Sequence, residues 1–555
     1  MPETHPRSTG PTRRQMLLGG AAAAGTALGS ELLDAAPAAA AGTSSTATAQ
    51  AVVDLTRPTS PFPHVWERVV GGDWAKQALR RDYQDQLFDC HDELGIESLR
   101  FHGVLNSSMS TYFPTVNGRP RNPAFSKDDY SFFNVEQVYD ALVDRGMRPY
   151  VELSSMPASL QGAAPPFSVF LYDFNQMEPK DYALWGKVVG DFARHMVDRY
   201  GIREVRTWPF EVWNEPNLFA FFNGDQQAYF KLYQYAAEAI KNVDASLRVG
   251  GPATSAGQQS FGPPRSPGVR YYREFMQWAT AKGVPVDFGS AHGYETDTGT
   301  GPQGPASFFQ QNRADTPSGV PLYISETNVA ADLGNPALDR SDAAASFLRT
   351  IIETVGVVDA LAYWSFTDIF EELGQADKPL HGGFGLQSIH GVKKPAYRLL
   401  QLLHSVGDRR APLTLSNAPA TVGGIAVTGS ARGGGSGGGS GSGGVDVLLY
   451  NHALATDDGS APTPAQPATL TVTLRGVRPG ARARVRRIDE DHTNPYQEWI
   501  ELGSPEYPTR RQLRDIKNAS DVVSQPLELK ADHGTDVARF TLTLPAEGVA
   551  AIHIG

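Results

Sequence analysis

Phe210-Glu211-Val212-Trp213-Asn214-Glu215-Pro216-Asn217, taken with Tyr323-Ile324-Ser325-Glu326-Thr327-Asn328, decides how this chain folds. Each is a short apolar, β-prone run ending in a glutamate with an asparagine close by. A buried strand that delivers a carboxylate at its C-terminal end is a building block of parallel barrels. The flanking sequence has the matching texture. Leu79 to Leu94 has helical periodicity with Gly95 behind it, and Ile96 to His102 follows as a strand. Helix Val135 to Arg145 then leads to strand Arg148 to Leu153, and helix Asp181 to Tyr200 to strand Val205 to Asn214. Helix Gln226 to Val243 precedes strand Leu247 to Gly251, and helix Tyr271 to Lys282 precedes Val286 to His292. Phe308 to Arg313 leads to Pro321 to Glu326, and Asp342 to Val355 leads to Ala360 to Phe366.

Helices that close on glycine and pass quickly into short apolar strands mark βα units and a parallel sheet. A first strand is expected near His64 to Val70. That makes a closed (β/α)8 TIM barrel over residues 61–405, in the α/β class. A doubly wound open sheet is the alternative. It gives no reason for polar residues at nearly every strand end: Arg100 and His102, Glu152, Asn214 and Glu215, His292, Glu326, then Thr367 and Asp368.

Beyond residue 405 the texture changes. Ile425 to Val427, Val445 to Tyr450, Ala468 to Leu474, Ala483 to Ile488 and Ala538 to Leu544 read as strands of a C-terminal antiparallel β-sandwich, residues 406–555. The Gly/Ser tract, loop 433–444, lies between two such strands and reads as a long disordered hairpin loop. At the other end, Thr12-Arg13-Arg14-Gln15-Met16-Leu17-Leu18 and the small apolar run after it read as a twin-arginine signal peptide over residues 1–42. Export by that route, to the periplasm or the medium, is the expectation. Residues 43–60 are a candidate to join the sandwich through a strand at Ala51 to Leu55.

The chain has 555 residues, enough for two domains, with 41% hydrophobic and 20% charged residues. A formal charge of −11 argues against nucleic acid or an anionic membrane as partner. Cys90 is the only cysteine, so no intrachain disulfide forms, and its place in a helical pattern makes it a buried small residue. No His/Cys/Asp cluster has metal-ligand spacing, and no cofactor is expected. Two glutamates on separate strands are the minimum equipment for cleaving a glycosidic bond, one as acid and one as nucleophile or base.

Ordered motifs on successive strands carry a family resemblance. They are Arg100-Phe101-His102-Gly103, Arg148-Pro149-Tyr150-Val151-Glu152-Leu153, the Phe210 to Asn217 string, Gly250-Gly251-Pro252-Ala253 and His292-Gly293-Tyr294. The Glu326 strand, Tyr363 to Glu372, His381 to Leu386, Lys394-Pro395 and, in the sandwich, Ile488 to Tyr496 complete the set. In these the chain resembles glycoside hydrolase family 39, its β-xylosidase branch more than its α-L-iduronidase branch. The resemblance implies a retaining exo-glycosidase that removes terminal β-D-xylosyl residues from hemicellulose-derived oligosaccharides. A carbohydrate is then the partner, and a homo-oligomer with sandwich loops near neighbouring sites is compatible with it.

On this reading Glu215 is the general acid/base, its neighbours Trp213 and Pro216 making an apolar setting that favours the protonated carboxyl. Glu326 is the nucleophile, roughly 5–5.5 Å from Glu215 if the mechanism is retaining. Asn214 hydrogen-bonds the sugar 2-hydroxyl, Arg100 keeps Glu326 ionised, and Tyr294 orients it. His102 and His292 contact sugar hydroxyls, Trp364 forms the floor under the ring, and Glu371 or Glu372 binds the terminal sugar. Glu152 and Glu211 are either further site groups or structural ion pairs. Two departures from the family pattern bear on the preferred sugar: Asn106-Ser107-Ser108-Met109 where acidic residues are usual, and Glu295 where proline is frequent. The same chemistry on an arabinoside, another pyranoside or a uronide such as an α-L-iduronide is the alternative within enzymes. A non-catalytic carbohydrate-binding barrel is the alternative outside them.

Overall fold

The computed structural model describes residues 49–555, apart from 117–118, 121–128, 172, 258–264, 298, 301–302, 430–443, 456–464 and 533. The expected signal peptide and nearly all of the Gly/Ser tract lie outside the described residues. Eight parallel strands close into a barrel. In chain order they are β1 (Val70–Trp74), β2 (Ser98–His102), β3 (Arg148–Glu152), β4 (Pro209–Glu211), β5 (Arg248–Ser255), β6 (Phe288–Tyr294), β7 (Leu322–Asn328) and β8 (Ala360–Tyr363). The outer ring is α1 (Arg81–Leu94), α2 (Phe133–Asp144), α3 (Tyr182–Tyr200), α4 (Gln226–Val243), α5 (Gly268–Lys282), α6 (Pro305–Asp315), α7 (Ser341–Glu353) and α8 (Pro395–His404). Among the described residues no helix is long and apolar enough to cross a membrane.

Strand alternation sorts the side chains. On β2, Leu99 and Phe101 join the main core, where Phe101 meets Tyr139 of α2, while Arg100 and His102 face the barrel interior. An apolar plug of Val69, Tyr150, Phe288, Tyr323, Ala360 and Ala362 packs as a separate small cluster inside the barrel. The polar layer lies at the C-terminal strand ends.

The first strand is a correction. It runs over Val70–Trp74, whereas His64 to Arg68 form turns. Its Gly71-Gly72 pair looks like a strand breaker, and packing explains it. A Cβ on Gly71 would sit 2.3 Å from Trp364 Cε3, so only glycine lets that indole lie against the strand. Strand β4 is also shorter than expected, because Ile202–Val205 is a short helix and only Pro209–Glu211 pairs.

The chain enters and leaves the barrel through the sandwich. Ala49–Asp54 lies between Leu413–Ser416, antiparallel, and Ala468–Arg475, parallel. Two helices in this domain, Pro495–Glu501 and Arg510–Ala519, depart from the all-strand expectation. Their Trp499 and Ile516 pack with Leu380 and Val392 of the barrel's last loop.

Glu295, one of the two departures from the family pattern, fastens the domains together. It follows β6, and its carboxylate meets His452 Nε2 of the sandwich at 2.8 Å, Ser346 Oγ of α7 at 2.6 Å and the Ala455 amide at 2.8 Å. His452 Nδ1 faces Glu547 on the sandwich side. Burial alone would lower the imidazole's pKa, but the two glutamates outweigh it and lift it to about 10. Burial likewise opposes ionisation of Glu295, yet His452, Ser346 and Ala455 hold its carboxyl below the ordinary range.

The pH window follows from those directions. His452 contributes fully below its ordinary 6.5 and loses its contribution as pH rises through about 10; Glu295 contributes above 4.5 and loses it in acid. His452→Ala should lower unfolding free energy by about 3–5 kcal/mol, since it leaves the buried Glu295 carboxylate, with the partly exposed Glu547 beside it, without its cation. Urea unfolding across pH 7–11 checks this: the wild type should lose stability towards the alkaline end, and the variant should lose much less.

Candidate active site

Arg100 is the hub of the polar layer. It is fully buried on β2, and its three side-chain nitrogens reach groups carried by β3, β4 and β7 across the barrel interior. Nε donates to Glu211 Oε2 at 2.7 Å, Nη1 to Glu326 Oε1 at 2.8 Å, and Nη2 to Asn214 Oδ1 at 2.8 Å. Nη2 also lies 2.8 Å from Glu152 Oε2. Burial works against the guanidinium's charge, but Glu152, Glu211 and Glu326 more than offset it and raise its pKa further. One fixed cation therefore serves three buried carboxylates. For Glu152 burial dominates: Arg100 and Ser154 pull its pKa down, yet it stands at about 7.

Glu326 sits on β7 with both oxygens held. Tyr294 Oη donates to Oε2 at 2.6 Å while Arg100 occupies Oε1. Both donors fix the orientation of this carboxyl group. An irregularity in β7 helps aim this carboxylate. Ala291 of β6 pairs with Ile324 but His292 with Glu326, so Ser325 is an extra, bulged residue. The bulge turns both Ser325 and Glu326 towards the interior.

Glu215 comes from the turn after β4. Trp213 and Glu215 take left-handed backbone conformations, with φ of 76° and 42°. For non-glycine residues each costs about 1–3 kcal/mol, and such strain persists only where the surroundings over-determine it. Here Trp213 Nε1 donates to Phe221 O at 2.9 Å and the Glu215 amide to Ala253 O at 3.0 Å. Asn217 bridges to β5 in both directions, donating to Ser255 O and accepting from its amide. The Asn-Glu-Pro-Asn string is thus the sequence of a strained turn. His292 Nδ1 lies 3.1 Å from Glu215 Oε1 and 3.6 Å from Glu326 Oε1. One ligating atom each from Glu215, His292 and Glu326 fall within 4.8 Å of one another.

The remaining expected residues distribute around this centre. His102 Nδ1 is 2.6 Å from Glu152 Oε2, and its Nε2 is 3.8 Å from Glu326 Oε1. Trp364 follows β8 with its ring 4.9 Å from the His102 ring and 5.9 Å from the Arg100 guanidinium carbon. Glu372 is buried, whereas Glu371 lies 3.8 Å from Arg80 and its amide donates to Asp73. Burial, with Glu372 and Glu371 nearby, raises the Asp73 carboxyl well above its ordinary range. Asn106 serves structure: its amide donates to Ser155 Oγ and Asp173 O, and its oxygen accepts from the Ser108 amide. Cys90 is buried under α1, and burial raises its thiol pKa.

Tyr150 and Ser325 were not singled out from the sequence. Both donate to Glu211 Oε1, at 2.9 and 2.8 Å. Alternation along β3 points Tyr150 inward with Glu152, and alternation along β7 points Ser325 inward with Tyr323; it is Glu326 that needs the bulge to face the same way. Glu211 is thereby an ion-paired, hydrogen-bonded support. As for a metal, Glu215, His292 and Glu326 could each offer a ligand atom, but Arg100 and Tyr294 already occupy both Glu326 oxygens. The adjacent guanidinium also repels a cation. The arrangement can instead place two carboxyl groups on one small buried volume, next to an apolar ring.

A sequence model of the family described as Glycosyl hydrolases family 39 matches residues 50–533. A β-xylosidase of Caldicellulosiruptor saccharolyticus is 36% identical over 503 residues, spanning 88% of this chain and 95% of that protein. Human α-L-iduronidase is 25% identical, over 81% of this chain and 69% of its own. Among solved structures, a monomeric β-xylosidase from Caulobacter crescentus CB15 superposes with a TM-score of 0.73 at 28% identity, covering 91% of this chain and 99% of that one.

Proposed function

Because the chain belongs to glycosyl hydrolases family 39 and is a glycoside hydrolase, we propose that it removes terminal β-D-xylosyl residues from hemicellulose oligosaccharides with retention of configuration. The observation that carries this is the carboxyl pair: oxygens of Glu215 and Glu326 within 4.8 Å, on the turn after β4 and on β7. One oxygen of each carboxyl approaching the other this closely supports a carboxylate attacking the anomeric carbon directly, rather than a pair held apart by roughly 6.5–9.5 Å to admit a water between them.

In the first half-reaction a Glu326 oxygen bonds to C1 as the C1–O bond to the leaving group breaks, and Glu215 gives its proton to the departing oxygen. In the second, Glu215 takes a proton from water, whose oxygen bonds to C1 and releases Glu326. Asn214, with its oxygen engaged by Arg100, has Nδ2 left to donate to the sugar 2-hydroxyl. His102 presents Nε2 to the ring hydroxyls, Trp364 lies beneath the sugar, and Glu372 lines the end of the pocket.

The buried character of the pair supports an exo mode: Glu215 is 0% and Glu326 1% exposed, which suits one terminal sugar more than a chain crossing an open cleft. A uronide fits less well, because Arg100 is already matched by carboxylates and a further anion would meet negative charge. The relatives named as β-xylosidases add weight in the same direction. Export by the twin-arginine route, on the strength of Arg13-Arg14 and the apolar run behind them, places the enzyme where such oligosaccharides arise. A panel of nitrophenyl glycosides tests the specificity: the β-xyloside should exceed the arabinosides, the β-glucoside and the α-L-iduronide in kcat/KM. Fastest release from the iduronide would overturn the sugar, and release from none would leave a binding barrel.

A further inference from the structure

We propose that Glu211 and Ser325 fix His292 as its Nε2–H tautomer, so that the Nδ1 lone pair holds Glu215 in the protonated form the first half-reaction needs. This rests on Glu215 being the acid. Hydrogen bookkeeping along a buried chain carries it. Glu211 receives Arg100 Nε on one oxygen and the Tyr150 hydroxyl on the other, so it acts as an acceptor. The Ser325 hydroxyl, 2.8 Å from Glu211 Oε1, must then give its only hydrogen to that carboxylate. Its lone pair faces His292 Nε2 at 3.0 Å, which makes Nε2 the donor. Burial keeps the imidazole neutral, its pKa lowered to about 4, so Nδ1 carries no hydrogen at neutral pH.

An unprotonated Nδ1 3.1 Å from Glu215 Oε1 is a favourable contact only if the carboxyl supplies the hydrogen. The reverse tautomer would leave Ser325 Oγ without a hydrogen for one of its two neighbours, a buried contact between acceptors. Among the described residues, titratable and charged groups facing the His292–Glu215 pair include Glu326, Arg100, Glu211, His102 and Glu152. Once Glu215 has given up its proton, the same lone pair faces a carboxylate, which strengthens Glu215 as the base for water. Ser325 is therefore a positioning residue, pointed into the barrel with Tyr323 by alternation along β7, and Glu211 anchors the chain to Arg100.

Ser325→Ala frees His292 to adopt the Nδ1–H tautomer and donate to an ionised Glu215. The basic limb of kcat/KM for xylobiose should then move to lower pH by about one unit. Ser325→Thr, which keeps the hydroxyl, should leave the limb in place. An unchanged limb in Ser325→Ala, with loss equal at every pH, overturns the proposal. ¹⁵N NMR of histidine-labelled wild-type enzyme decides the point without a variant: Nε2 protonated and Nδ1 unprotonated at neutral pH is expected, and the opposite assignment refutes it. The leaving-group behaviour of Glu215→Ala is separate. If it fails, the acid assignment falls; if it holds while the limb does not move, only the role of Ser325 falls.

Discussion

Glu326→Ala should lose on the order of 10⁴–10⁶ of kcat, the range expected when a covalent nucleophile is removed. No neighbour can replace it. Glu211 is held by Arg100, Tyr150 and Ser325, and Glu152 by Arg100 and His102, so neither can swing to the anomeric carbon. The deleted side chain leaves room beside Arg100 and Tyr294, whose donors then face an anion-sized space. Azide should enter it and attack C1 of an activated aryl xyloside, restoring turnover and giving a glycosyl azide of inverted configuration. Wild-type turnover in this variant would remove Glu326 from the nucleophile's role.

Glu215→Ala should discriminate between leaving groups. Xylobiose and alkyl xylosides, whose alkoxides need a proton as they depart, should lose about 10²–10⁴ in kcat/KM. A dinitrophenyl xyloside departs unaided and should lose less than about tenfold in kcat/KM, with kcat limited by the second half-reaction. Azide should raise that kcat and give a product of retained configuration, the opposite outcome to the Glu326 variant. Equal losses on both substrates would argue that Glu215 binds and does not transfer the proton.

The barrel was readable because its helices end on glycine and its strand ends are polar; β7 and α4 lie where their periodicity places them. Strand β1 escaped because Gly71 and Gly72 have poor strand propensity, and the reason for them, Trp364 and the Tyr83 hydroxyl lying where Cβ atoms would be, is tertiary. The sandwich helix Arg510–Ala519 carries a local signal in the sequence, the Thr509/Gln512 capping box. Arg100, Asn214, Glu215, His292, Tyr294 and Glu326 are brought together at the C-terminal ends of β2, β4, β6 and β7. Their supports are less legible, since Glu211 and Glu152 are ion-paired to an Arg100 two strands or one strand away, and the inward facing of both Ser325 and Glu326 needs a bulge that no sequence period announces. Glu295, a departure from the family pattern, joins the domains through His452.

The central claim is that Glu326 bonds to the anomeric carbon while Glu215 faces it from across the pocket. Incubation with dinitrophenyl 2-deoxy-2-fluoro-β-xyloside, followed by peptide mass mapping, tests it most directly. The electron-poor sugar slows release of the intermediate, so one fluoroxylosyl group per chain should accumulate on the peptide carrying Glu326. A label on Glu215, Glu211 or Glu152 with Glu326 unmodified, or steady hydrolysis with no label at all, would contradict the account.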